Sequence, residues 1–84
     1  MKRKAIEFTP HARADLRAID QATAMRILEA LARYLADGTG DVKRLQDVQP
    51  PENRLRVGVY RVRFYEYEDR VQILTVKHRR EAYR

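Results

Sequence analysis

The chain contains no cysteine and no tryptophan. Without cysteine there can be no structural disulfide, no thiolate nucleophile and no Cys-ligated zinc. With five Tyr and two Phe as its only aromatics, an 84-residue chain fills one thin core and no more. Glycine and proline are scarce at three each, which argues against long linkers and disordered or low-complexity segments. No apolar run approaches the roughly 18 residues that a membrane span needs. The opening Met1-Lys2-Arg3-Lys4-Ala5-Ile6-Glu7 lacks the apolar stretch that follows the charged start of a secretory leader. These absences predict a single cytoplasmic domain over residues 1–84, with no membrane contact.

Acidic residues are also in short supply. Eighteen Lys and Arg face twelve Asp and Glu, a net charge of +6 and a pI near 10.1, a balance that suits a polyanionic partner. The imbalance is local: residues 1–53 hold nine basic against eight acidic side chains, residues 54–84 nine against four. The working surface is expected in the second half.

Ile6 and Phe8 alternate with charged neighbours, as in a short half-buried strand. Thr9-Pro10 then supplies a capping hydroxyl and a proline whose missing N–H costs nothing at the first helical position. The spacing of Ala12, Leu16 and Ile19 predicts a helix over Pro10 to Ile19, and Asp20 caps a second over Gln21 to Asp37, striped by Ala24, Ile27, Leu28, Leu31 and Leu35 and ended by Gly38. Thr39 to Asn53, with Gly40 and Pro50-Pro51, reads as a loop with room for a brief extended piece at Val42 to Leu45. Arg54 to Val57, Tyr60 to Tyr67 and Val71 to Val76 read as three strands joined by short turns at Gly58-Val59 and Glu68-Asp69-Arg70. The expected class is α+β: an N-terminal strand, a two-helix hairpin and a three-stranded antiparallel meander, with the helices on one face of an antiparallel sheet. Leu16, Ile27, Leu28, Leu31, Leu35, Val62, Phe64, Leu74 and Val76 are the expected core.

If Val62 and Phe64 face the helices, period two sends Arg61, Arg63, Tyr65 and Tyr67 to the other side of the sheet. Guanidinium forks match phosphate oxygens and phenol rings stack on bases, so this mixture suits single-stranded nucleic acid; it equally suits a plain solvated sheet face. Arg54 and Arg56 share one face of the preceding strand, while Lys77, Arg79 and Arg80 crowd the end of the last one. Up to seven basic groups could then converge with few acids to pair them. His78 is the nearby group that titrates near neutrality, although a lone histidine at a strand end is more often structural. His11 reads as a surface residue, and two distant histidines without an acidic cluster make no metal site. There is no Gly-rich phosphate loop, GxSxG or HExxH motif.

The run Arg54-Leu-Arg-Val-Gly-Val-Tyr-Arg-Val-Arg-Phe-Tyr, a hairpin, then Val76-Lys-His-Arg-Arg-Glu-Ala-Tyr-Arg84 resembles the RelE/ParE superfamily of bacterial toxins. Phe8-Thr-Pro-His-Ala-Arg-Ala-Asp-Leu and the capped second helix extend the resemblance over nearly the whole chain. For the RelE branch it implies a toxin of a type II toxin–antitoxin system: a metal-independent, cofactor-free ribonuclease that enters the ribosomal A site and cuts mRNA by attack of the 2′-hydroxyl on the adjacent phosphate. On that pattern Arg61 stabilises the phosphate, Arg79 meets the same charge or the leaving group, and Tyr83 stacks on a base or aids proton transfer. Arg54 and Arg56 fall where some members carry a lysine pair. Arginines hold their protons too firmly for a general base, which leaves His78 as the alternative proton carrier. Arg54, Arg56, Arg63, Lys77 and Arg80 would bind RNA. The implied partners are the ribosome, mRNA and a cognate antitoxin, with DNA reached only indirectly through the antitoxin. The ParE branch implies a DNA gyrase inhibitor instead, and a degenerate basic binding module is the third reading.

Overall fold

The computed structural model describes residues 4–45 and 51–82. In chain order it contains β1 (Ala5–Phe8), α1 (Pro10–Arg17), α2 (Gln21–Asp37), β2 (Asp41–Leu45), β3 (Glu52–Val57), β4 (Tyr60–Glu66), β5 (Arg70–His78) and the short α3 (Arg79–Ala82). Thr9 caps α1 as its spacing predicts: its hydroxyl accepts the Ala12 amide at 3.1 Å and donates to the Leu74 carbonyl at 3.0 Å, which ties the helix start to β5. Asp20 accepts the Thr23 amide at 3.0 Å to open α2. Gly38 closes that helix in the left-handed region (φ 78°), a conformation that costs most residues a steric penalty.

One five-stranded sheet runs in the order β1-β5-β4-β3-β2. It is α+β as expected but mixed, because β1 lies parallel to β5 while the other neighbours are antiparallel. A parallel pair cannot be closed by a tight turn; here everything between β1 and β5 forms the connection. Two further differences concern residues 39–53 and the end of the chain at Arg79–Ala82. The expected loop contains a full strand, β2, paired with β3 from Asp41↔Arg56 to Leu45↔Glu52. Gly40 lets it approach closely, since a Cβ there would meet Leu55 Cδ1 at 3.1 Å. The third helix was not foreseen either; the Arg79 amide, donating at 2.7 Å to the Val59 carbonyl in the β3–β4 turn, starts it.

The buried core is Ala12, Ile27, Leu31, Leu55, Val62, Phe64, Val71, Ile73 and Val76. Leu16, Leu28 and Leu35 are half-buried rather than buried, as befits helices covering a small sheet. Leu74 departs from expectation for a sharper reason. Arg63 pairs with Thr75 and Phe64 with Ile73, so Leu74 is the extra residue of a β-bulge. Period two read back from Val76 therefore slips by one, and Ile73 and Val71 take the core positions.

On the helix side the sheet also holds a half-buried polar knot. Glu66 accepts from Tyr34 Oη at 2.9 Å and Asn53 Nδ2 at 3.0 Å through one carboxylate oxygen and from Lys4 Nζ at 2.8 Å through the other. Burial alone would push the Glu66 carboxyl up, but the hydrogen bonds from Lys4 and Tyr34 and the charges of Lys4 and Arg44 hold it low. Desolvation and the bond to Glu66 push the Tyr34 phenol up to about 12.

Candidate functional site

Residues directly opposite one another on neighbouring strands share a face. The register therefore writes two transverse rows on the side away from the helices: Asp41, Arg56, Arg61 and Lys77, then Lys43, Arg54, Arg63 and Thr75. Alternation alone put Arg61 and Arg63 here; the pairing adds β3 and brings in β2. Asp41, Lys43, Arg54, Arg56 and Arg61 line a recess of about 330 Å³. Four cations surround one carboxylate. Arg54 is half-buried, and its Nε is sealed from solvent with no hydrogen-bond partner among the described residues.

The other predicted cations divide. Arg63 is claimed by Glu52, its Nε and Nη2 each donating at 2.7 Å to a carboxylate oxygen in a bidentate pair. Glu52 is only 5% exposed, and the Arg63 hydrogen bonds hold its carboxyl below the usual range despite burial. Lys77 begins in the first row, but its Nζ donates to Asp15 Oδ1 at 2.9 Å at the side of the sheet. The same carboxylate accepts the Val76 amide at 2.9 Å, filling the edge of β5 where β1 has ended.

Arg79 and Arg80 do not join the recess. With Val59 and His78 they line a second one of about 410 Å³, so the expected convergence of seven cations is split between two places. The physical reason is the end of β5 at His78: beyond it the chain coils into α3 instead of extending the row that holds Arg61 and Lys77. His78 pairs with Tyr60 and, in phase with Val76 and Val62, lies on the helix side of the sheet, opposite Arg61. Its ring meets Tyr60 edge to face at 5.5 Å, and its Nδ1 accepts the Arg80 amide at 3.2 Å. Tyr83 lies outside the described residues.

Three residues of this face were missed by sequence reasoning: Asp41, Lys43 and Glu52. Each belongs to the stretch read as a loop. A signal existed in the alternation of Glu52, Arg54 and Arg56, and of Asp41 and Lys43 about Val42, but short alternations beside glycine and a proline pair are weak. Among the described residues no group of three or more His, Asp or Glu is placed to hold a metal ion, and no helix is long and apolar enough to cross a membrane.

The fold is thus an α+β sheet with helices on one side and a guanidinium-lined recess on the other. The sequence profile described as "ParE toxin of type II toxin-antitoxin system, parDE" matches residues 6–83, and the chain belongs to this family. No curated protein sequence matches it. Among solved structures, a chain of the RelB–RelE antitoxin–toxin complex from Methanococcus jannaschii superposes with a TM-score of 0.76 at 21% identity, over 92% of this chain and 94% of that one. YoeB, solved as a dimer from Staphylococcus aureus, gives 0.74 at 20% identity, over 90% and 97%. The toxin–antitoxin complex RelBE2 from Mycobacterium tuberculosis gives 0.68 at 25% identity, over 89% and 96%. The RelE/ParE resemblance read from the sequence is thus a shared fold and family.

Proposed function

We propose that this toxin is a ribosome-dependent, metal-independent endoribonuclease that cuts mRNA by attack of a 2′-hydroxyl on the adjacent phosphate. The observation that carries the reading is the gathering of Arg54, Arg56 and Arg61 around one recess on the open sheet face. Like charges set directly opposite one another, as Arg56 and Arg61 are, weaken a sheet; an anion seated among them reverses the sign. The pentavalent phosphorane carries more negative charge than the ground-state diester, so preorganised guanidiniums favour it selectively. Arg61, half-exposed on the central strand β4, takes the scissile phosphate, with Arg54 and Arg56 on its other oxygens. Arg79, at the start of α3, takes a neighbouring phosphate, and Tyr83 stacks on a base. His78, whose strand position faces away from Arg61, is given no proton to carry at the scissile phosphate in this reading. An acidic segment of a cognate antitoxin, a partner of the kind seen in the RelB–RelE complexes, covers the basic face and silences the toxin.

The second reading, inhibition of DNA gyrase, is favoured by the ParE description of the family. Expression in a translating extract separates the two, with mRNA mapped by primer extension and plasmid topology followed in parallel. The ribonuclease reading expects A-site breaks with wild-type protein and a single-turnover rate lowered about 100-fold by Arg61→Ala, the scale of losing one donor to an oxyanion. Intact mRNA with gyrase-dependent plasmid breaks would establish the other reading.

A further inference from the structure

Proton transfer is the part of RNA cleavage that the arginines of the recess cannot perform, because a guanidinium does not release its proton in the neutral range. Two other groups line the same recess: Asp41 and Lys43. They stand two positions apart on β2, so both project from the open face, about 7 Å apart along the strand at 3.4 Å per residue. That gap straddles one phosphodiester group. Asp41 lies across from Arg56 and Lys43 across from Arg54. Both are exposed, and neither is in an ion pair within the described residues. Elsewhere Asp15, Glu52 and Glu66 each hold a cation at 2.7 to 2.9 Å. Among the described residues the recess therefore keeps one carboxylate and one ammonium outside any ion pair, beside three guanidiniums.

We infer that Asp41 is the proton acceptor and Lys43 the proton donor for phosphodiester cleavage in this recess; the assignment rests on the ribonuclease reading above. The Asp41 carboxylate takes the 2′-hydroxyl proton as the 2′-oxygen bonds to phosphorus. The arginines hold the non-bridging oxygens of the phosphorane. The P–O5′ bond then breaks with its electron pair left on the 5′-oxygen, which takes a proton from the Lys43 ammonium. The products are a 2′,3′-cyclic phosphate and a 5′-hydroxyl. Water returns the proton from Asp41 to Lys43, so no metal, oxidant or other co-reactant enters the balance. In this arrangement the acid and base reside on an edge strand and the phosphate clamp on the two strands beside it.

The test uses full-length protein on programmed ribosomes, with messages that carry either an ordinary linkage or a 5′-bridging sulfur at the scissile position. A thiolate departs without a proton, so only the donor's role is bypassed. Lys43→Met should cut the ordinary message at least about 100-fold more slowly than wild type, yet cut the sulfur-linked message within about threefold of it. Asp41→Asn should be slow on both messages, because the 2′-hydroxyl still needs its acceptor. Both positions are exposed, and unchanged thermal melting of the variants shows that the fold is intact. A Lys43→Met variant equally slow on both messages, or as fast as wild type on the ordinary one, overturns the donor assignment; an active Asp41→Asn overturns the acceptor. Wild-type protein that cuts neither message overturns the ribonuclease reading itself.

Discussion

The two faces of the sheet treat charge in opposite ways. Beneath the helices each ionised group is answered at short range: Glu66 meets Lys4, Tyr34 and Asn53, and Asp15 meets Lys77 and the Val76 amide. On the open face Arg63 has a bidentate carboxylate in Glu52, while Lys43, Arg54, Arg56 and Arg61 line one recess with Asp41. A buried ion must be paired because desolvation is costly. A solvated face has no such requirement, so cations can gather there for a ligand at only a modest loss of stability. The two groups, one paired beneath the helices and one gathered on the open face, should respond differently to substitution.

The largest effect falls on the helix side. Phe64 is fully buried and meets the Tyr34 ring edge-on at 5.7 Å. Phe64→Ala should cost about 3–5 kcal/mol by chemical denaturation, the usual range for a large core truncation. Such a loss is a large part of a small domain's stability, so this variant should be partly unfolded at 37 °C. Activity lost here would be lost with the fold, unlike the loss expected for Arg61→Ala.

Next comes Glu66→Gln, which leaves Lys4 without its carboxylate. The expected cost is about 1.5–3 kcal/mol, as for hydrogen bonds to a charged group. The pH dependence follows from the lowered carboxyl. A group held below its usual value near 4.5 contributes stability that is present above that value and is lost as pH falls through the folded one. Wild type should therefore exceed the variant fully above about pH 5 and converge on it in acid.

Tyr34→Phe probes the same knot from the alkaline side and should cost about 0.5–1.5 kcal/mol, one neutral donor's share. Its raised phenol, about 12 against the usual 10.0, contributes stability below pH 10 that is lost between pH 10 and 12. The margin of wild type over Tyr34→Phe should shrink in that window. A margin independent of pH would mean that the phenol is solvated.

Legibility in the sequence divides along the same line. The helices were readable because caps and stripes act locally: Thr9, Asp20 and Gly38 mark their ends, and α2 runs over the span those signals delimit. Alternation in β4 assigned Val62, Phe64, Arg61 and Arg63 to their faces, since the extra residue of the bulge between Arg63 and Phe64 lies on β5. What failed depended on partners far along the chain. The Leu74 bulge takes its place from the Thr9 hydroxyl and the pairing with β4, β2 exists only because β3 receives it, and the split between Arg61 and Arg79 depends on where β5 stops. Composition could reveal that the second half is basic. It could not reveal that Glu52 would take Arg63 out of the cluster while Asp41 and Lys43 entered it.

The smallest effect is the most direct test of the contrast between the faces, because its sign is reversed. Arg56 is exposed and stands directly opposite Arg61, with Asp41 on its other side. If the open face carries unrelieved repulsion, Arg56→Gln should raise stability by roughly 0.2–0.5 kcal/mol at low salt, the lower part of the range for cross-strand pairs. Near 1 M salt, where the screening length shrinks to about 3 Å, the gain should disappear. The same substitution should weaken RNA binding and flatten its salt dependence by about 0.7 in the log–log slope, the share of one contact to a single strand. Denaturant titrations at two ionic strengths and a binding series in salt measure both halves. A variant less stable than wild type at low salt would show that Asp41 already compensates Arg56, and the open face would then be as fully paired as the one beneath the helices.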